Sequence, residues 1–343
     1  MSASAVRRLC LVSRVGGIAG PASFQRRLTQ GLAARGIEVC YNLNDRPYAA
    51  VLVSGGTRHL AGLSGTRRLG IPVFQRLDGM NWLHRRRRTG VRHFLRAELN
   101  NLLLRVLRRR LADGVIYQSR FVRDWWDRAE GPIRVPTFVV HNGVPLDFFT
   151  PGDRGAARHT LRLLVVEANL SGGYEIGLEH AVSLLNAMVG HAESIELAVA
   201  GRVPAKMRLE ADRRARSPIH WLGALEPERL PALYASGGLL FSADLHPACP
   251  NTVLESLACG TPVVAFDTGA LPEIVTAETG RLTTYGADAW RLEPPDIDGL
   301  ALAAAEVFAD LARYQRGARL RAESAFGLER MIDGYLSALG WAG

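Results

Sequence analysis

Lysine is almost missing from this chain: Lys206 stands alone and every other cation is arginine, a bias read as genome composition rather than function. Cysteine is scarce too. Cys10, Cys40, Cys249 and Cys259 show no paired spacing, which speaks against a disulfide framework or a thiolate metal site and leaves packing as their expected role, Cys249 in its loop included. No apolar run reaches the roughly eighteen residues that would cross a bilayer. Met1 to Arg8 lacks the apolar block of a secretory signal, so cytoplasmic residence is expected. There is no Gly-Lys-Ser/Thr loop and no dinucleotide fingerprint. No Asp-x-Asp stands at a convincing strand end, so no metal and no cofactor is expected; Asp296-Ile297-Asp298 follows Pro295 and reads as a helix start. The arginine runs carry no interleaved aromatic platform and no nucleic-acid fold signature, so specific nucleic-acid binding is not expected.

What remains is a chain of 343 residues, 48% hydrophobic, enough for two ordinary domains. Its charge is lopsided. Residues 1–150 hold 25 basic and 9 acidic side chains, a net +16, and residues 151–343 are net −7, so an anionic partner is expected for the first half. Apolar runs and helical spacing alternate twice over, which is the signature of an α/β protein with two parallel sheets. In the first series a strand over 6–13 leads into a glycine loop holding Gly16 and Gly17, then a helix over 24–35. Strands are read at 37–41, 49–54, 71–75, 114–118 and 137–141. Helices are read at 57–69, 92–111 and 119–128. Arg76, Asp78 and Asn81 follow the 71–75 strand, where a parallel strand empties its polar groups toward a ligand. Arg85–Arg88 and the long basic helix after it present cations that suit anionic membrane headgroups or an anionic acceptor. A Pro/Gly linker near 151–155 separates the second series. Its strands are read at 161–166, 195–200, 219–223, 239–241, 262–266 and 280–284, its helices at 175–189, 227–236 and 296–311, and a last helix at 328–339.

The chain is organised around Leu239 to Val275: strand, loop, helix, strand, loop, helix. Pro250-Asn251-Thr252 opens the helix and leaves backbone N–H groups pointing into the loop, a seat for phosphate; the plainer alternative is that Asn251 is an ordinary helix cap. Glu255 lies one turn further in, placed to accept hydrogen bonds from a ribose. The wording of this stretch, with Glu255, Gly260-Thr261-Pro262-Val263-Val264-Ala265 and Gly269-x-x-Pro272-Glu273-Ile274-Val275, resembles the nucleotide-sugar site of the family 4 glycosyltransferases. The Gly16-Gly17 loop and the Asn142-Gly143-Val144 turn are similar to further pieces of that family.

That resemblance implies the GT-B fold, two Rossmann-like domains facing across a cleft. The domains would be 1–150 on the acceptor side and 156–327 on the nucleotide-sugar side, with 328–343 as a helix crossing back to the first. It implies transfer of a sugar, with retention and without metal, from a nucleotide-sugar donor to a glycan, lipid-linked or small-molecule acceptor. Donor contacts would be Gly16, Gly17, Asn169, Gly172, Gly173, Arg202, Asn251, Thr252 and Glu255. Asp78 would orient the sugar as the catalytic-site acid, with Arg76 and Asn81 flanking it toward the acceptor. Two departures stand out. Pro247 occupies the position of the family's first Glu, and Asn169 and Tyr174 replace its Arg and Lys, with Ser171-Gly172-Gly173 amides or Arg202 to compensate. They leave open a non-catalytic nucleotide- or glycan-binding partner subunit, and less readily an epimerase of the same fold.

Overall fold

The computed structural model describes residues 7–12, 14, 16–17, 20–87, 90–152, 160–171, 174–191, 194–236 and 238–342. The chain forms two compact units, one of Met1–Gly143 with Leu328–Gly343 and one of Val144–Gly327. The first unit thus ends at Gly143 rather than at 150.

The first unit is a six-stranded sheet. In chain order it runs β1 (Arg8–Val12), α1 (Gly20–Ala34), β2 (Glu38–Cys40), β3 (Ala50–Ser54), α2 (Leu60–Arg68), β4 (Val73–Leu77), α3 (Val91–Val106), β5 (Gly114–Tyr117), α4 (Arg120–Glu130) and β6 (Thr137–Val139). The strand order is β2-β1-β3-β4-β5-β6, and all pairs are parallel. Ala50-Val51-Leu52-Val53 is buried throughout, because a central parallel strand is covered on both faces and reads as an unbroken apolar run. One core gathers Leu9, Leu11, Leu52, Phe24 and Leu28 with Ile332 and Tyr335 of the C-terminal segment; the other gathers Cys10, Val51, Val53, Leu63 and Leu107. Gly31 lets α1 meet Ile332: a Cβ there would lie 2.4 Å from that side chain. Arg35 also ion-pairs with Glu329 and with Asp333, at 3.0 Å in the latter case.

Three expectations change here. The 71–75 strand runs on to Leu77, so Arg76 is a buried strand residue. Helix α1 begins at Gly20, within the expected loop. The long basic helix ends in a π-helical turn over Leu107–Leu111, and Arg108 is not solvated. Arg108 is 1% exposed and donates to the Tyr117 hydroxyl (2.9 Å), the Gly131 carbonyl (2.8 Å) and the Asp127 carboxylate (2.5 Å). Arg108→Met leaves those acceptors without their donor, so an unfolding titration should show a loss of about 2 kcal/mol.

The second unit repeats the plan: β7 (Leu161–Asn169), α5 (Glu175–Met188), β8 (Ile195–Arg202), α6 (Ala205–Arg214), β9 (Ile219–Gly223), α7 (Leu230–Ala235), β10 (Leu239–Phe241), α8 (Asn251–Ala258), β11 (Val263–Phe266), α9 (Leu271–Ile274), β12 (Gly280–Thr283), α10 (Ile297–Ala309) and α11 (Leu311–Ala325); α12 (Leu328–Ala338) returns to the first unit. The strand order β12-β11-β10-β7-β8-β9 reverses direction between β7 and β10. Open parallel sheets bind ligands beyond the carboxyl ends of strands at such a reversal. Arg319 of α11 braces the base of α8, donating to the carbonyls of Ala258 (2.8 Å) and Phe149 (2.8 Å). Asp296 caps α10 by accepting from Gly299 N–H at 2.8 Å, so it serves as the helix start its sequence suggests. Among the described residues no helix is long and apolar enough to cross a membrane.

Candidate functional site

The carboxyl ends of β7, β8 and β9 enclose a cavity of about 420 Å³, lined among others by Asn169, Ser171, Arg202, Arg208, Trp221 and Gly223. Its shape begins with a bulge. The pairing of β7 with β8 slips between Val166 and Asn169, and Asn169 then sits opposite Arg202, as a bulge re-aims a strand end. Asn169 and Ser171 lock each other: the Ser171 hydroxyl donates to Asn169 Oδ1 at 2.8 Å, and Asn169 Nδ2 donates to the Ser171 carbonyl at 3.3 Å. Behind them Gly201, with φ +148°, lets β8 press against β7, since a Cβ there would stand 2.0 Å from the Glu167 carbonyl.

Arg208 comes from α6, a helix with no apolar spacing to announce it in the sequence. Trp221 is fixed as one wall because its indole Nε1 donates to Asp212 of the same helix at 2.9 Å. The Arg202 and Arg208 side chains are exposed and make no hydrogen bond or ion pair among the described residues. Two uncommitted guanidiniums beside hydrogen-bonding groups and an aromatic wall suit a phosphorylated, ring-bearing ligand.

At the sheet reversal the helix α8 points its N-terminus out of the loop after β10. The residue capping it is Pro250, not Asn251; Val253 and Leu254 N–H donate to the Pro250 carbonyl at 3.2 and 3.3 Å. Asn251 and Thr252 are half-buried in the first turn. Proline cannot donate and fixes its own φ, so the helix starts one residue earlier than a side-chain cap would set it. Glu255 is 4% exposed and accepts from the Tyr234 hydroxyl at 3.3 Å. The phenol of Tyr234 is held well above its usual pKa by burial first and by the Glu255 carboxylate second, so it remains a donor. Pro247 is buried against Gly269 (φ +61°), where a Cβ would come within 2.5 Å of the proline ring, and its carbonyl accepts Ala270 N–H at 2.8 Å.

An acidic pair without any sequence signal lies here. Glu167 lies two residues before the end of β7 and Asp244 follows β10; burial first, and the Asp244 charge second, push Glu167 up to about 8. Burial also raises Asp244, against backbone hydrogen bonds that lower it. His246 stacks on Trp290, ring centroids 3.6 Å apart at 13°, and burial brings its pKa down to about 4, so it is neutral at pH 7.

The first unit's candidates are committed elsewhere to differing degrees. Arg76 is 3% exposed, lies 3.6 Å over the Phe24 ring, and donates to Asn142 Oδ1 at 2.8 Å. It is a buried cation that braces β4 against Phe24 and Asn142. Asn81 forms a closed ring with Asn101 of α3: Asn81 N–H and Nδ2 donate to Asn101 Oδ1 (3.0 and 3.1 Å), and Asn101 Nδ2 donates back to the Asn81 carbonyl at 2.9 Å. These bonds tie the segment after β4 to α3. Asp78 is half-buried at the end of β4; burial raises its carboxyl, with Arg76 pulling the other way. Gly17 has φ +95°, which only glycine adopts freely, and a Cβ on Gly16 or Gly17 would meet open space. Gly172, Gly173 and Arg88 lie outside the described residues. Among the described residues no three His, Cys, Asp or Glu side chains are grouped to hold a metal ion.

Comparison with known proteins bears on both units. Residues 168–310 match the family model described as glycosyl transferases group 1. The GDP-mannose-dependent alpha-(1-6)-phosphatidylinositol dimannoside mannosyltransferase of Mycobacterium tuberculosis is 31% identical over 241 residues, which is 66% of this chain and 58% of that protein. The D-inositol 3-phosphate glycosyltransferase of Geodermatophilus obscurus is 32% identical over 222 residues, 59% of this chain and 46% of that protein. The chain thus spans about half the length of these curated relatives. Among solved structures, sucrose-phosphate synthase from Thermosynechococcus elongatus superposes with a TM-score of 0.75 at 18% identity, covering 98% of this chain and 99% of that one. Anabaena HepE in complex with UDP-glucose gives 0.71 at 16% identity, covering 97% and 99%. At such identities the structural likeness speaks for the fold, two Rossmann-like domains of the GT-B class.

Proposed function

We propose that this chain, which carries a glycosyl transferases group 1 domain in residues 168–310, moves a sugar from a nucleotide-sugar donor to an acceptor. The observation that carries the proposal is the cavity at the ends of β7, β8 and β9, with its two uncommitted guanidiniums and its aromatic wall. Arg202 and Arg208 take the part of the Arg and Lys that Asn169 and Tyr174 do not supply, neutralising the donor diphosphate by charge-assisted hydrogen bonds. Trp221 gives the nucleobase a flat face.

Transfer breaks the bond between the anomeric carbon and the diphosphate oxygen, so negative charge builds on the departing phosphate. Fixed donors aimed at that charge lower the barrier; here they are the guanidiniums and the amides of Asn251 and Thr252 at the positive end of α8. The proposed reaction retains configuration, needs no metal, and lets the leaving phosphate take the acceptor's proton. Glu255 accepts from the ribose, its carboxylate oriented by the Tyr234 hydroxyl. In the first unit, Asp78 is assigned to orienting the sugar and the Gly16–Gly17 backbone to a phosphate contact. The named relatives act on GDP-mannose and on inositol-bearing acceptors, which makes GDP-mannose with phosphatidylinositol mannosides or inositol 3-phosphate the first combination to try. The proposal includes contact of the Arg85–Arg88 run with anionic headgroups.

The test is release of nucleoside diphosphate from GDP-mannose and UDP-glucose, with and without those acceptors. Acceptor-dependent release supports transfer. Binding of the nucleotide with no release under any acceptor supports the partner-subunit reading, for which the Pro247 substitution is the motive. Glu255→Gln keeps the shape but weakens an ionic acceptor, and kcat/KM should fall by about tenfold, the worth of one charged hydrogen bond.

A further inference from the structure

We infer that α3 is a membrane-surface helix, and that its solvent-facing apolar stripe enters the headgroup–acyl boundary of an anionic bilayer. This goes beyond headgroup contact by an arginine run, and it stands whether or not the donor cavity is correctly assigned.

The stripe is unexpected in a water-exposed helix. Val91 is 76% exposed, Leu95 62%, Leu102 46% and Leu99 43%, with Phe94 at 41%. With about 100° per residue, Val91, Leu102, Leu95 and Leu99 fall within roughly one quarter of the helix circumference. Ala97, Asn101 and Leu104, the buried residues of the helix, point to the opposite side. That opposite side is firmly held. Asn101 clasps Asn81, and the Leu104 carbonyl accepts from Gln75 Nε2 at 3.2 Å. The apolar stripe is therefore presented by a fixed helix, not by a frayed one.

The charge around it selects the partner. Residues 84–110 hold ten arginines and one acid, Glu98. Glu98 is occupied within the fold: it accepts from Arg85 at 2.6 and 2.8 Å and faces His84 Nε2 at 2.7 Å, and those contacts pull its carboxyl down to about 2. Arg85 is thereby paired within the fold, and the apolar stripe of α3 with its own arginines adds insertion to the headgroup contact of the run. Arg92 and Arg96 flank the stripe, exposed and with no partner among the described residues. A second copy would bring two such arginine fields together and be repelled. An anionic lipid surface offers both an apolar interior and compensating charge. Sixteen residues span about 24 Å, so α3 lies in the plane of the interface and does not cross it.

The experiment is flotation of the full chain with vesicles of phosphatidylcholine alone and with about one-third phosphatidylglycerol added. Binding is expected to the anionic vesicles, and to fall at least about tenfold both in Leu95→Gln/Leu99→Gln, which removes apolar insertion, and in Arg92→Gln/Arg96→Gln, which removes charge. These side chains are exposed, so folding should survive, and circular dichroism checks it. All four native cysteines are buried, so an environment-sensitive fluorophore can be placed on Leu95→Cys. Its emission should shift to the blue on anionic vesicles, while the same label on Leu320→Cys, in the second unit, should not respond. No binding, an unshifted label at 95, or binding lost only in the arginine variant would overturn the inference. So would a dimer, or a complex with an acidic protein, that the leucine variant dissolves.

Discussion

Replacing Arg202 and Arg208 together by alanine is expected to weaken nucleotide-sugar binding by about 10²–10³, the largest loss expected of any change to the cavity wall. Under the proposed donor assignment each guanidinium gives a diphosphate one or two charge-assisted hydrogen bonds, each worth about 1.5–3 kcal/mol. Neither has a side-chain partner to lose among the described residues, so the change should leave folding almost untouched. That separates it from the other arginines: Arg76, Arg108 and Arg319 are tied into the structure, and removing them mixes stability with function. Calorimetric titration with nucleoside diphosphate is the measurement. Single variants should each lose about tenfold or somewhat more. The affinity should also fall further with salt in the wild type than in the double variant, because two counter-charges are gone. An unchanged affinity in the double variant would place the phosphates elsewhere.

Glu167→Gln is expected to stabilise the protein at pH 8 by about 3 kcal/mol and by less than about 1 kcal/mol at pH 5. The sign follows from the direction of the shift. Burial and Asp244 raise the folded carboxyl from the ordinary 4.5 to about 8, so between those values the folded state holds a proton that the unfolded chain has released. Stability therefore declines as pH rises through that window, and the decline is complete above it. Glutamine cannot ionise and escapes the penalty; the figure is set below the full shift because the side chain is only half-buried. Asp244→Asn removes the second cause of the shift, so Glu167 should titrate lower and the decline should become smaller and end at a lower pH. The same ionisation bears on function. A second carboxylate beside Asp244 at the sheet reversal repels a diphosphate, so donor affinity should fall above about pH 8 in the wild type and stay level in Glu167→Gln. Urea titrations and nucleotide titrations at about pH 5, 7 and 8.5 read both effects.

The sheet is legible because buried parallel strands are written as unbroken apolar runs, such as Val51-Leu52-Val53 and Val263-Val264-Ala265, between glycine and proline punctuation. Helices that bury little are not. Helix α6 buries only Ala211 among its ten residues, and its charged sequence offers no stripe, so nothing marks Arg208 as a cavity residue. Helix α11 buries Tyr314, Ala318 and Ala322, a spacing of four that could have been found; alanine is too weakly apolar to announce it. Arg76 resembles a loop cation because the apolar letters end before it, yet an arginine can stay in a strand when an aromatic face and an amide oxygen receive it. The exposed face of α3 has the spacing of an inner stripe, since apolar periodicity alone does not say which side is covered. Glu167 has no signal at all. Its shifted titration comes from two strands and a loop brought together, and no local pattern records that.

The donor assignment turns on whether a nucleotide sits against Trp221. Fluorescence of the chain during titration with GDP or UDP, compared between the wild type and Trp221→Phe, reads that directly. Saturable quenching in the wild type, absent from Trp221→Phe while calorimetry still detects its binding, is the result predicted. Equal quenching in both proteins would put the nucleotide at some other tryptophan and contradict the assignment.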